Sequence, residues 1–189
     1  MSIFSIKLFA IWIRFWRNIS TLISFLILKS EPIKTFTNAN DIASELQNGN
    51  NWKPDPGKRG NFDVTIHPAV TQWKINNNKY GEKANDCDDH AMYWCAALYK
   101  SKLAKHVWFV QINWENSAHA FCVFKTYDNK YYWTDYNNPI EIADKWAWLY
   151  SVNQTYGQIK AKYAMMHHVT MNKSGKTPKL KTSEIRKFK

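Results

Sequence analysis

The chain has 189 residues and a formal net charge of +11, with 45% hydrophobic and 16% aromatic residues. This is enough apolar surface for one packed domain with short flanking segments, and it excludes wholesale disorder. The charge sits at the ends: residues 1–29 carry +4, residues 172–189 carry +6, and the stretch between them is nearly neutral at +1, so a basic surface for specific nucleic-acid reading is not expected in the central region.

Residues 3–28 are the most apolar segment. Their polar positions, Lys7, Arg14, Arg17, Asn18, Thr21 and Ser24, recur at helical spacing as one narrow stripe. The uninterrupted apolar runs are too short for a simple spanning helix, and Arg14 and Arg17 interrupt any signal-peptide core. Basic residues on one face with Trp and Phe on the other predict a helix lying in a membrane interface over residues 1–30. A helix packed on the domain or on a second copy, and a tilted spanning anchor, are the alternatives. Glu31-Pro32 ends the segment. Asn38–Asn48 reads as a short helix, and Gly49–Gly60 as a Pro- and Gly-rich loop. Asp63–Trp73 reads as a strand passing through His67-Pro68 into a helix, and Asn76–Asn78 as a turn.

Asp86–Lys102 has helical apolar spacing at Ala91, Trp94, Cys95, Leu98 and Tyr99. Val107–Trp114, Ala118–Tyr127 and Lys130–Tyr136 are rich in β-branched and aromatic residues and predict strands. Ile140–Tyr150 is expected as a helix, and Lys160–Thr170 as a helix or a strand. Residues 172–189, poor in apolar side chains and rich in lysine, are expected as a basic disordered tail that adds to membrane attraction. Residues 31–171 would then form the folded domain.

Three cysteines, Cys87, Cys95 and Cys122, without framework spacing, argue against a disulfide scaffold and are compatible with a reducing compartment. Free cysteines usually end as small buried hydrophobes, which suits Cys95 and Cys122. Cys87 differs because it starts a predicted helix, where the positive end of the dipole favours a thiolate. A thiol nucleophile also needs a base within reach and a group to orient that base. His119 lies in one predicted strand and Asp135 in the next. Paired antiparallel strands keep a constant index sum, and for His119 and Asp135 it is 254, an even number. A three- or five-residue loop near Tyr127–Asn129, or a bulge, therefore puts both on one face, whereas a two-residue Asp128-Asn129 turn would separate them.

The segment Asn85-Asp86-Cys87-Asp88-Asp89-His90-Ala91, His119-Ala120, and Asp135 two residues after Trp133 resemble, in order and spacing, the transglutaminase-like cysteine peptidases of bacteria and phages. The resemblance covers about Asp63 to Pro139, with the Asp55-Pro56 loop before it. It implies an α+β papain-like core, with the nucleophilic Cys at the N-terminus of a helix packed on an antiparallel sheet. It implies a Cys87–His119–Asp135 triad hydrolysing an amide of a protein or peptide through a thioester. Acyl transfer to an amine and a non-catalytic scaffold of the same fold are the alternatives. It also implies an oxyanion donor upstream, at Gln72 or Trp73. Asn85 stands where the family has Gly, and Asp86, Asp88 and Asp89 crowd the thiol with negative charge that opposes its ionisation.

A zinc set of Cys87, His90, His119 and Cys122 has x2 spacings, but a strand sends His119 and Cys122 to opposite faces, so no metal is expected. No Ca²⁺-loop pattern is present and no cofactor is expected. His67, His106, His167 and His168 read as structural or surface residues. The expected location is a membrane surface, on its cytoplasmic face, with a soluble cytoplasmic protein as the alternative.

Overall fold

The computed structural model describes residues 2–48, 65–77, 86–115, 117–136, 138–157, 160–172 and 176–188. The 49–60 loop, with its Asp55-Pro56, and Asn85 lie outside them. Helix α1 (Ile3–Ile27) starts at an N-cap in which Ser2 accepts from the Ser5 N–H. Helices α2 (Ala39–Asn48), α3 (Pro68–Asn76) and α4 (Cys87–Lys100) follow. The α3 start uses Pro at its first position and the buried His67 ring as cap, with Nδ1 accepting from the Ala69 N–H at 3.1 Å. Burial holds the His67 pKa down at about 4, which keeps that ring neutral and able to accept.

Strands β1 (His106–Asn113), β2 (Ala118–Lys125), β3 (Tyr131–Thr134) and β4 (Ile140–Ile142) come next, then helix α5 (Trp148–Thr155) and strands β5 (Tyr163–Met171) and β6 (Pro178–Lys187). The six strands form one antiparallel sheet in the order β4-β3-β2-β1-β5-β6. The architecture is α+β with an open sheet. Strand alternation divides the core into two layers. Phe109, Ala120, Cys122 and Phe124 pack with Trp94 and Leu98 of α4 and Ile42 and Leu46 of α2. On the other face, Val110, Phe121, Val123 and Trp133 pack with Trp148 and Val152 of α5. Both layers need large side chains, which accounts for the aromatic content.

Three expectations are corrected. Ile140–Tyr150 is not one helix: Ile140–Ile142 pairs with β3, and α5 begins only at Trp148. The segment is too short in apolar periodicity to oppose an open strand edge beside it. Within the segment expected as a disordered tail, 172–189, Pro178–Lys187 is instead a strand paired with β5, with a bulge between His167 and Val169. An edge strand needs few apolar anchors; Leu180 is buried while Lys179 and Lys181 remain exposed. Lysine there is what an edge strand carries, so composition alone mistook it for tail. Lys160–Thr170, open between helix and strand, contributes β5.

The third correction concerns α1. Its polar stripe faces inward and its apolar face outward. Arg17, Ser20, Thr21 and Ser24 are buried. Arg17 ion-pairs with Asp88 of α4 and lies 4.9 Å from the Phe109 ring centroid. The Ser24 hydroxyl accepts from the His67 N–H at 2.8 Å. Asn18 bonds both backbone groups of Leu180, at 3.1 and 2.9 Å, and Arg14 donates to the Lys181 carbonyl. The two arginines expected at lipid headgroups thus hold α1 to the sheet edge and to α4. No helix among the described residues is long and apolar enough to cross a membrane.

The Arg17–Asp88 pair is 4% and 2% exposed, so its loss leaves a buried, uncompensated carboxylate. Arg17→Met is expected to cost about 3–5 kcal/mol in urea denaturation, and Arg17→Met with Asp88→Leu to recover most of it. A single-variant cost near zero would contradict the arrangement.

Candidate active site

Asp86 is the N-cap of α4, its carboxylate accepting from the Asp88 N–H at 3.2 Å, and Cys87 is the first residue of the helix. Cys87 is half-buried. The backbone N–H of Ala120 in β2 is near enough to favour its thiolate. That N–H is open to it for a topological reason. Thr126 N–H bonds the Lys130 carbonyl, and the Lys125 carbonyl accepts from Lys105. Backbone groups alternate along a strand, so even-numbered residues of β2 face β3 and odd-numbered ones face β1. The β2–β3 ladder ends at Cys122↔Thr134. Ala120 is the next residue facing that side, past the end of the ladder, and the start of α4 fills the gap.

His119 Nε2 lies 2.8 Å from Asp135 Oδ2, both side chains being buried. The hairpin explains the encounter. Thr126–Lys130 closes around a three-residue loop, Tyr127–Asn129, with Asn129 at φ 69°, a left-handed conformation that Asn tolerates. The loop is odd in length, and the register Cys122↔Thr134 to Lys125↔Tyr131 has an even index sum. Continued by one pair, it sets Asp135 opposite Phe121, diagonal to His119 on the same face.

Asp135 is held at three points. The Tyr156 hydroxyl, just past α5, donates to the same Oδ2 that meets His119. The Trp94 indole N–H donates to the Asp135 backbone carbonyl at 2.9 Å, tying the site to α4. The His119 ring rests against Tyr156, with centroids 4.2 Å apart, and Tyr136 lies 5.9 Å away. In a neutral ring, a carboxylate accepting at Nε2 places the proton there and leaves Nδ1 as the lone-pair nitrogen. Among the described residues, the thiol and the imidazole share no hydrogen bond, and His119 is not among the groups that shift the thiol's pKa.

Burial pushes the Cys87 pKa well up, and the carboxylates of Asp86 and Asp88 push it further; the Ala120 N–H and Arg17 oppose them. The resting group is therefore a neutral thiol at neutral pH. The acids do structural work. Asp86 caps the helix, Asp88 pairs with Arg17 and accepts from the Thr65 hydroxyl, and Asp89 accepts from the Ile66 N–H at 2.6 Å. Their oxygens cluster within 4.8 Å, but these bonds account for the cluster. Burial likewise raises the pKa of Tyr136 and Tyr156, keeping both as neutral hydroxyls.

The four residues with zinc-like spacing do not converge. Cys122 is on the α4 side of the sheet, 3.5 Å from Cys95, whereas His119 is turned to the other face and to Asp135. His90 packs edge-on to Tyr136 at 4.8 Å, and burial lowers its pKa to about 4 against the pull of Asp135. Gln72 is not an oxyanion donor. Its amide donates to Glu45 and Asn76, both at 3.0 Å, and its oxygen accepts from the Tyr93 hydroxyl and the Lys34 N–H. Both of its N–H groups are spent joining α2 and α3. The half-buried Trp73 ring lies under the Lys29 ammonium, 5.6 Å from its centroid. The one backbone donor whose effect on the thiol is resolved is the Ala120 N–H.

Sequence reasoning missed Tyr156, the Ala120 N–H and Arg17. Tyr156 sits before Gly157 at a helix end, and no local pattern ties it to Asp135. The arginine's basic neighbours and apolar surroundings pointed to lipid. Only the end of the β3 ladder, a pairing property, exposes Ala120. Neither the family models, the curated proteins nor the solved structures contain a match to this chain.

Asp86→Asn keeps a good N-cap while removing one charge that holds the thiol neutral. Iodoacetamide should alkylate Cys87 several-fold faster in Asp86→Asn than in the parent at pH 8, with denaturation midpoint little changed. In the parent, the rate should still be rising with pH above 9, because the thiol's pKa is raised. A parent rate that levels off near neutrality would show an ionised resting thiol and contradict this electrostatic picture.

Proposed function

We propose that this chain is a cysteine-dependent amide hydrolase, peptidase-like, acting on a protein or peptide through a thioester. The observation that carries this reading is the His119–Asp135 pair, 2.8 Å apart and further held by Tyr156; Cys87 at the start of α4 supplies the thiol. A buried histidine with one nitrogen fixed by a carboxylate and the other presenting a lone pair is the base such chemistry needs. The order helix-borne Cys, then His and Asp on successive strands is that of the transglutaminase-like, papain-like fold, which we take as the finer description of this α+β architecture.

His119 Nδ1 removes the Cys87 proton as sulfur attacks the amide carbon. The raised thiol pKa favours this concerted course over a pre-formed thiolate–imidazolium pair. The oxyanion meets backbone N–H groups at the start of α4, where the helix dipole adds to them. Collapse breaks the C–N bond, and His119 returns its proton to the leaving amine. Water, deprotonated by His119, then hydrolyses the thioester, giving a carboxylic acid and the free thiol. An amine in place of water would make the same site an acyl transferase.

A non-catalytic binding protein of this fold has one observation in its favour: the thiol is neutral at rest and not bonded to the imidazole. Catalytic hydrogen bonds are often loose before substrate arrives, so the geometry is compatible with turnover. A fluorogenic peptide-amide library offered to the full chain separates the two. Cys87→Ala and His119→Ala should each lower kcat/KM by about 10³-fold or more, since nucleophile and base act as one unit. Asp135→Ala should lose less. Near-normal turnover in Cys87→Ala would defeat the proposal, and a parent chain that binds peptides without cleaving any would favour the binding reading.

A further inference from the structure

Thirteen of the sixteen exposed large hydrophobic side chains among the described residues lie between Ile3 and Leu28. They belong to one element. Phe4 is 70% exposed, Trp12 59%, Phe15 57% and Ile27 73%. This follows from the inverted seating of α1: where a surface helix ordinarily buries its apolar stripe, this one buries Arg17, Ser20, Thr21 and Ser24. At 25 residues, and about 1.5 Å per residue, the outward face extends roughly 37 Å. A continuous apolar surface of that length is far larger than the scattered hydrophobics of an ordinary protein exterior, and marks a contact site.

The charges around the face identify what it meets. The first acidic residue of the chain is Glu31, so α1 itself carries none. Lys7 and Lys29 are exposed near its two ends. Beside Ile6, a cleft of about 630 Å³ is lined by Lys160, Lys162 and Lys187, with Glu115 as its one acid. A second copy of this chain would set one cationic rim against another. An anionic lipid surface satisfies both features, with hydrocarbon for the apolar face and phosphates for the lysines. Trp12 and Trp16 are of the type that settles at the boundary between them. Arg14, Arg17 and Asn18 are bonded to the domain, so α1 stays flat against it and the protein lies on the bilayer without threading it.

We infer that the outward face of α1 is a docking surface for anionic membranes, on which the whole domain lies. This stands apart from the thiol chemistry and survives its failure. It retains the expected partner while replacing the expected contact: the lysines at the rim, not Arg14 and Arg17, meet the headgroups.

Flotation of the full chain with vesicles tests it, using phosphatidylcholine alone and phosphatidylcholine with about 30% phosphatidylglycerol. The parent should float with the anionic vesicles and lose about tenfold in apparent affinity at high salt or without phosphatidylglycerol. Trp12→Glu with Phe15→Glu replaces two exposed side chains and should abolish flotation with the circular dichroism spectrum unchanged. Lys7→Glu with Lys29→Glu should remove only the salt-sensitive part. Equal flotation of the Trp12/Phe15 variant would overturn the inference. So would a parent that ignores vesicles and elutes as a dimer which those two substitutions dissolve, because the face would then join two copies.

Discussion

The register of the β2–β3 hairpin is the constraint on which the candidate site depends. A three-residue loop, permitted by Asn129 in the left-handed region, sets an even pairing sum. One residue more or less would turn Asp135 to the opposite face from His119. The same register decides which backbone groups of β2 face β3. Because that ladder stops after Thr134, the Ala120 N–H is open to the thiol. The imidazole–carboxylate pair and α4, which Cys87 starts, pack on opposite faces of the sheet, tied together by the Trp94 bond to the Asp135 carbonyl.

The second determinant is charge around the sulfur. A helix start favours an anion, yet here the first turn also carries Asp88 and Asp89 behind the Asp86 cap. Each acid stabilises the fold through its own bonds, and two of them, Asp86 and Asp88, disfavour thiolate. Arg17 answers Asp88 from the other end of the chain. The N-terminal helix therefore carries most of the exposed large hydrophobic side chains among the described residues and also supplies charge near Cys87. Any force that shifts α1 against the domain acts on Asp88, and through it on Cys87.

Much of this was legible in residues 86–136, because periodicity, an N-cap and strand alternation are local signals. Helix α4, strands β1 to β3 and the parity of His119 with Asp135 all follow from spacing. What failed was whatever depended on a distant partner. Lys179 and Lys181 looked like tail because β5, their pairing strand's own identity, was undecided. Arg17 looked solvent- or lipid-facing because nothing near it in sequence announces Asp88. Gln72 was placed by the resemblance, as a residue upstream of Cys87, whereas Glu45, Asn76 and Tyr93 claim its amide. Tyr156 lies 21 residues from Asp135 with a strand and a helix between them, and only tertiary packing connects the two.

The central claim is that Cys87 becomes acylated during turnover. The most direct measurement is mass spectrometry of the full chain, acid-quenched while it consumes a peptide amide and digested under acid to preserve thioesters. The account predicts an acyl adduct on the peptide bearing Cys87, formed at the rate of amine release and missing from Cys87→Ala. Amine release at full rate with Cys87 unmodified throughout, or an adduct on another residue, would contradict it.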